Sequence, residues 1–83
     1  MILIEKVNIK LGNKLKRLRE SEGKTQRQLA DTMGLGVSTI AMYEIGARVP
    51  SDKVKKQYSI LFNKSVDEIF FWLKMSLKRT IWY

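Results

Sequence analysis

The sequence predicts an all-α protein: a compact five-helix domain, with a small two-stranded sheet from the N- and C-terminal segments as an optional addition. Three observations carry this. Apolar residues recur at helical spacing, as in Leu11, Leu15 and Leu18 and again in Val54, Tyr58, Leu61 and Phe62. Two capping boxes, Thr25 with Gln28 and Ser65 with Glu68, each mark the start of a helix. Gly23, Gly34 and Gly46 fall where periodic stretches end. The expected organisation is one domain over residues 1–83, with a core spanning 11–70 and a closing segment at 71–83.

Residues 1–10 read as irregular to weakly extended. Val7, Ile9 and Leu11 alternate with Asn8 and Lys10, a period that suits a short half-buried strand. The first helix is expected from Gly12 or Asn13 to Glu22, ended by Gly23, with Leu11, Leu15 and Leu18 inward. Lys14, Lys16, Arg17 and Arg19 make it basic, which serves either solvation or phosphate binding. Thr25 opens the second helix, and Leu29, Ala30 and Met33 share its inward face. Gly34 supplies a turn with positive φ at little steric cost. Leu35 then enters the core and Gly36 sits at the cap of a third helix. Ile40 and Tyr43 continue the apolar stripe, leaving Ser38, Thr39, Ala41 and Met42 outward. Two short helices held by such a turn form a helix-turn-helix, which offers its second helix to a DNA major groove.

After the loop through Arg48 and Pro50, Ser51 is a good N-cap for a fourth helix reaching about Asn63. Lys53, Lys55 and Lys56 crowd its first turns, where the helix dipole disfavours cations. A DNA phosphate would compensate, and so would Asp52 with solvent. Ser65 opens a short fifth helix through Phe70. Beyond it, Phe71, Leu73, Met75 and Leu77 alternate with Trp72, Lys74, Ser76 and Lys78, which favours a strand paired with the N-terminal segment. A continuing helix would instead align Ile69, Leu73, Leu77 and Ile81. Either way Phe71, Trp72, Leu73, Met75, Leu77 and Trp82 exceed what a small core needs, and a surplus of this kind marks an interface, here a homodimer contact.

Composition narrows the function classes. The chain has 83 residues, no Cys and no His, so it has no disulfide framework, no thiolate metal site and none of the commonest general base. Neither a metal nor a cofactor is expected. Sixteen Lys and Arg against eight Asp and Glu give a formal charge of +8, which favours a polyanion or an anionic membrane surface. No nucleophile–base pair or carboxylate dyad is present, and Gly34 with Gly36 forms a turn rather than a phosphate loop, so an enzyme is not expected. Glu5 interrupts the apolar start too soon for a signal peptide, and Ile69 to Leu73 is too short to span a bilayer. The expectation is a soluble, cytoplasmic protein.

The stretch from Thr25 to Gly46 closely resembles the Cro/repressor-type helix-turn-helix family of phage, plasmid and bacterial regulators. The matching residues are Thr25-Gln26, Leu29-Ala30, the turn Gly34, Ser38-Thr39-Ile40 and Tyr43-Glu44-Ile45-Gly46. The resemblance extends over about Leu11 to Phe70. It implies a lambda-repressor-like fold and a double-stranded DNA partner, bound as a homodimer with each reading helix in the major groove. By the same resemblance Arg19 and Glu44 form a structural ion pair, and Gln26 clamps the DNA backbone and buttresses the reading helix. Val37, Ser38, Thr39 and Met42 are then nearest base edges. Thr25, Arg27, Arg48 and Lys53 are further candidate backbone contacts. Departures from the family are the apolar Val37, Ala41 and Met42 on the reading face, Ile45 where Asn is common, and lysines at 55 and 56 in place of leucine.

The leading function is therefore a sequence-specific DNA-binding transcription regulator, in the repressor mould. The runner-up is an antitoxin-like or anti-repressor module whose apolar reading helix binds protein; salt-insensitive complex formation would mark it. A third, a peripheral membrane binder, would need a free helix with one strongly apolar face and one strongly charged face.

Overall fold

The computed structural model describes residues 2–70, with five helices and no strand among them. They are α1 (Ile2–Ser21), α2 (Gln26–Met33), α3 (Val37–Glu44), α4 (Asp52–Phe62) and α5, described over 66–70. The ends follow local chemistry. Thr25 caps α2 through a complete capping box, its Oγ1 accepting from Gln28 N at 3.1 Å while Gln28 Oε1 accepts from Thr25 N at 2.9 Å. Ser51 caps α4, and Asn63 ends it in the left-handed conformation with φ 52°. Ser65 and Glu68 exchange hydrogen bonds at 2.9 and 3.0 Å to open α5.

The core lies where all five helices meet. Leu11 and Leu15 of α1, Leu29 and Ala30 of α2, Ile40 of α3, Tyr58 of α4 and Ile69 of α5 are essentially excluded from solvent. Met33, Tyr43, Val54 and Phe70 complete it, and Leu18, Leu35, Val37, Leu61 and Phe62 pack around its margin. Tyr58 stacks on Phe62 at 5.9 Å between centroids and meets Phe70 edge-on at 6.2 Å. Gln57 of α4 donates to Met33 O at 3.0 Å and so ties α4 to the end of α2.

The N-terminal segment corrects the sequence expectation. Residues 2–10 are neither irregular nor a strand; α1 begins at Ile2 and runs unbroken through Gly12. The alternation of Val7, Ile9 and Leu11 misleads, because Leu11 is buried while Ile9 is 51% exposed. Gly12 is not a helix boundary but a crossing point. A Cβ there would lie 2.5 Å from Glu44 O and 2.7 Å from Tyr43 O, so only glycine lets α1 approach the backbone of α3 this closely. A second close approach lies three to four residues earlier, where Gly46 abuts the backbone of Asn8 and Ile9. A sheet strand drawn from residues 2–10 is thereby excluded. The strand-or-helix question for 71–83, and the dimer contact expected from Phe71, Trp72, Leu73, Met75, Leu77 and Trp82, lie outside the described residues.

Candidate nucleic-acid interface

The site is built on α2, the turn at Gly34 and α3. Gly34 has φ 69°, and the chain reverses there with Leu35 N donating to Ala30 O at 2.9 Å. Gly36 then starts α3 in extended conformation without any side-chain cap. The first turns of α2 and α3 carry no acidic residue of their own, and α3 has no side-chain cap either.

A buried polar cluster fixes the far end of α3. Arg19 donates from Nε to Glu44 Oε2 at 2.7 Å and from Nη2 to Glu44 Oε1 at 3.0 Å. Its remaining arm, Nη1, donates to Lys24 O at 2.7 Å. Gln26 Nε2 adds a third hydrogen bond to the Glu44 carboxylate at 3.1 Å. Arg19 is only 8% exposed and Glu44 only 4%, so the pair is desolvated. The hydrogen bond to Glu44 raises the pKa of Arg19 above its ordinary value, outweighing the opposing effect of burial. The forked geometry uses the planar guanidinium fully. One carboxylate thus joins α1, the start of α2 and the end of α3, which sets the angle at which α3 is presented.

The candidate base-reading residues differ in placement. Ser38 is exposed, Thr39 is half-buried and Met42 is 39% exposed. Val37 is half-buried and packs against the core, which limits what it can offer a ligand. One residue that sequence reasoning left off the reading face is Ile45, 66% exposed at the C-cap of α3. Ser38, Met42 and Ile45 fall at i, i+4 and i+7 and so form one outward stripe. Helical periodicity carried one position beyond Glu44 would have found it.

Among the candidate backbone contacts, Thr25, Arg27, Arg48 and Lys53 are exposed. The Thr25 cap uses the hydroxyl oxygen as acceptor and leaves its O–H available to donate. Gln26 is half-buried, and one amide hydrogen is committed to Glu44. Lys55 behaves otherwise. Its Nζ lies 5.5 Å from the centroid of the Phe70 ring and 3.9 Å from Asp52 Oδ1, so this cation shields the core. Lys53 and Lys56 remain exposed.

Among the described residues no group of His, Cys, Asp or Glu is placed to hold a metal ion, and no helix is long and apolar enough to cross a membrane. A family model for the helix-turn-helix of Cro/C1 type matches residues 15–69, which takes in the last turns of α1, the α2–turn–α3 unit, α4 and most of the described α5. No curated protein and no solved structure matches the chain.

Proposed function

The chain belongs to this helix-turn-helix family of DNA-binding regulators, and on that premise we propose that it is a sequence-specific repressor. It inserts α3 into the major groove of double-stranded DNA as a homodimer, with Ser38, Thr39 and Met42 nearest base edges and Val37 at the margin. The observation that carries this reading is the rigid mounting of α3. Its C-terminal end is fixed by the Arg19–Glu44–Gln26 cluster and its start by the Gly34 turn, while its outer stripe stays open. Exposed Arg27, Arg48 and Lys53, with the uncapped start of α3 and the net charge of +8, suit a phosphate backbone on either side. Dimerisation follows from arithmetic: one reading helix touches too few bases for high specificity, and two half-sites a helical turn apart supply the rest. The segment 71–83 is the proposed two-fold contact. A DNA partner also implies work in the cytoplasm.

Selection of bound sequences from a random duplex pool at near-physiological salt tests the proposal. A palindromic consensus with half-sites about 10 base pairs apart is the expected result. Enrichment of no sequence would overturn it. The apolar Met42 and Ile45 favour a protein partner as the second reading, and complex formation insensitive to salt would select that one.

A further inference from the structure

The reading helix lacks the side chains that usually discriminate base pairs. From Val37 to Glu44 it carries no Arg, Lys, Asn or Gln. Those are the residues that make bidentate contacts to guanine or adenine. Its one charged group, Glu44, is buried and occupied by Arg19 and Gln26. Tyr43 is buried in the core. What remains for a ligand is the hydroxyls of Ser38 and Thr39, each of which fits more than one base, and the apolar surface of exposed Met42 and Ile45, with Ala41 and Val37 only half-exposed.

In the major groove the apolar feature that carries sequence information is a methyl group at C5 of a pyrimidine. Thymine has it, cytosine lacks it, and 5-methylcytosine presents it at the same position. Met42 suits such a target because its unbranched thioether adapts to the position of the group it meets. Ile45 follows on the same stripe and widens the apolar contact toward the end of the helix. Val37 is held against the core and is the weaker partner in this contact.

We propose that Met42 and Ile45 read the C5-methyl edge of the major groove, so that the preferred DNA carries a C5 methyl at the contacted step, on thymine or on 5-methylcytosine. This rests on the DNA-binding function proposed above and names what that site recognises. Ser38 and Thr39 hold register on neighbouring polar edges. Affinity comes from the phosphates, and discrimination comes from methyl burial.

The test uses the duplex consensus obtained by selection, remade with deoxyuridine replacing thymine one position at a time. Burying one methyl corresponds to about 0.8 kcal/mol, or a fourfold change in affinity. Wild type should therefore bind about fourfold more weakly for each contacted methyl removed. Changing that T·A pair to C·G should weaken binding further, and a C5 methyl on the new cytosine should restore about fourfold. The Met42→Ala/Ile45→Ala variant should bind the thymine and uracil duplexes alike, with an unchanged salt slope. Both side chains are exposed, so its thermal melt should match wild type and serve as the folding control. Equal wild-type affinity for thymine and uracil duplexes at every position would overturn the proposal, as would an undiminished preference in the double variant. A steep salt slope without methyl preference would sink methyl reading alone. Absence of salt-dependent duplex binding would sink the function with it.

Discussion

Gly12→Ala sets a local rule against a long-range contact, and the two give opposite signs. Gly12 sits inside α1, where alanine is the better helix former by about 1 kcal/mol. On propensity alone the substitution stabilises. The structure gives the reverse. The added Cβ would lie 2.5 Å from Glu44 O, 2.7 Å from Tyr43 O and 2.8 Å from Glu44 C. An ordinary contact at a Cβ is 3.4–4 Å, so the helices must part by most of an ångström. The obstructing atoms are backbone and cannot rotate away. Overpacking costs about 1–3 kcal/mol, and a backbone obstacle belongs at the upper end. Subtracting the propensity gain leaves a net loss of about 2 kcal/mol. For a chain of this size that lowers Tm by roughly 10 °C. The same displacement moves Glu44 relative to Arg19, so DNA affinity should fall in parallel. Thermal and urea melts read the first effect and duplex binding reads the second. A Tm for Gly12→Ala equal to or above wild type would refute the close approach of α1 and α3.

Three further predictions concern the interior and the cap. Arg19→Ala leaves a desolvated Glu44 carboxylate with only the Gln26 hydrogen bond, and should cost roughly 3–5 kcal/mol in denaturant melts. Glu44→Ala should cost as much, and the double variant should recover part of the loss; simple additivity would argue against a coupled pair. Tyr58→Phe should stabilise the fold by about 1 kcal/mol, because the Tyr58 hydroxyl is buried without a hydrogen-bond partner. Burial pushes the Tyr58 phenol well above its ordinary pKa, so the folded state holds that proton longer than the unfolded chain. Its contribution is complete below about pH 10 and is lost as pH rises beyond, so alkaline melts should fall more steeply for wild type than for Tyr58→Phe. The Ser65 N–H and then its hydroxyl hold the Glu68 carboxyl below its ordinary value. That stability is present above the usual carboxylate pKa and is lost as pH falls through the lower folded one. Ser65→Ala removes the hydroxyl and keeps the N–H, so the Glu68 value should rise only part of the way toward its ordinary one in an NMR titration, and an unmoved titration would show that the hydroxyl contributes nothing.

What the sequence made legible depended on the range of the interaction. The two capping boxes, the positive-φ turn at Gly34 and the inward stripes of α2 and α4 are written within a few residues of themselves. Gly12 is the counterexample. Its local signal is that of a helix boundary, and its real constraint is the backbone of residues 43 and 44. The alternation around Ile9 failed for a related reason, since a short window cannot tell a half-buried strand from a helix with one exposed isoleucine. Lys55 looks like a phosphate ligand misplaced on a helix dipole until α5 folds back and brings Phe70 beneath it. In the candidate site, the outward position of Met42 was readable from periodicity. The exposure of Ile45 follows from the same period carried one position further, whereas the core contact of Val37 depends on what α3 packs against. The Arg19–Glu44 contact joins residues 25 positions apart and has no local signature; only the family resemblance named it.

Under the proposed function, the exposed cations grip the DNA backbone and α3 is presented between them. The salt dependence of affinity for the selected duplex tests it most directly. Log affinity should fall linearly and steeply with log salt, because each neutralised phosphate releases counterions and contributes about −0.9 to the slope. Arg48→Ala or Lys53→Ala should make that slope shallower by about one for each copy of the residue on DNA, without changing the preferred sequence. A duplex affinity that does not change with salt, or a slope untouched by both substitutions, would rule out a phosphate grip by these cations.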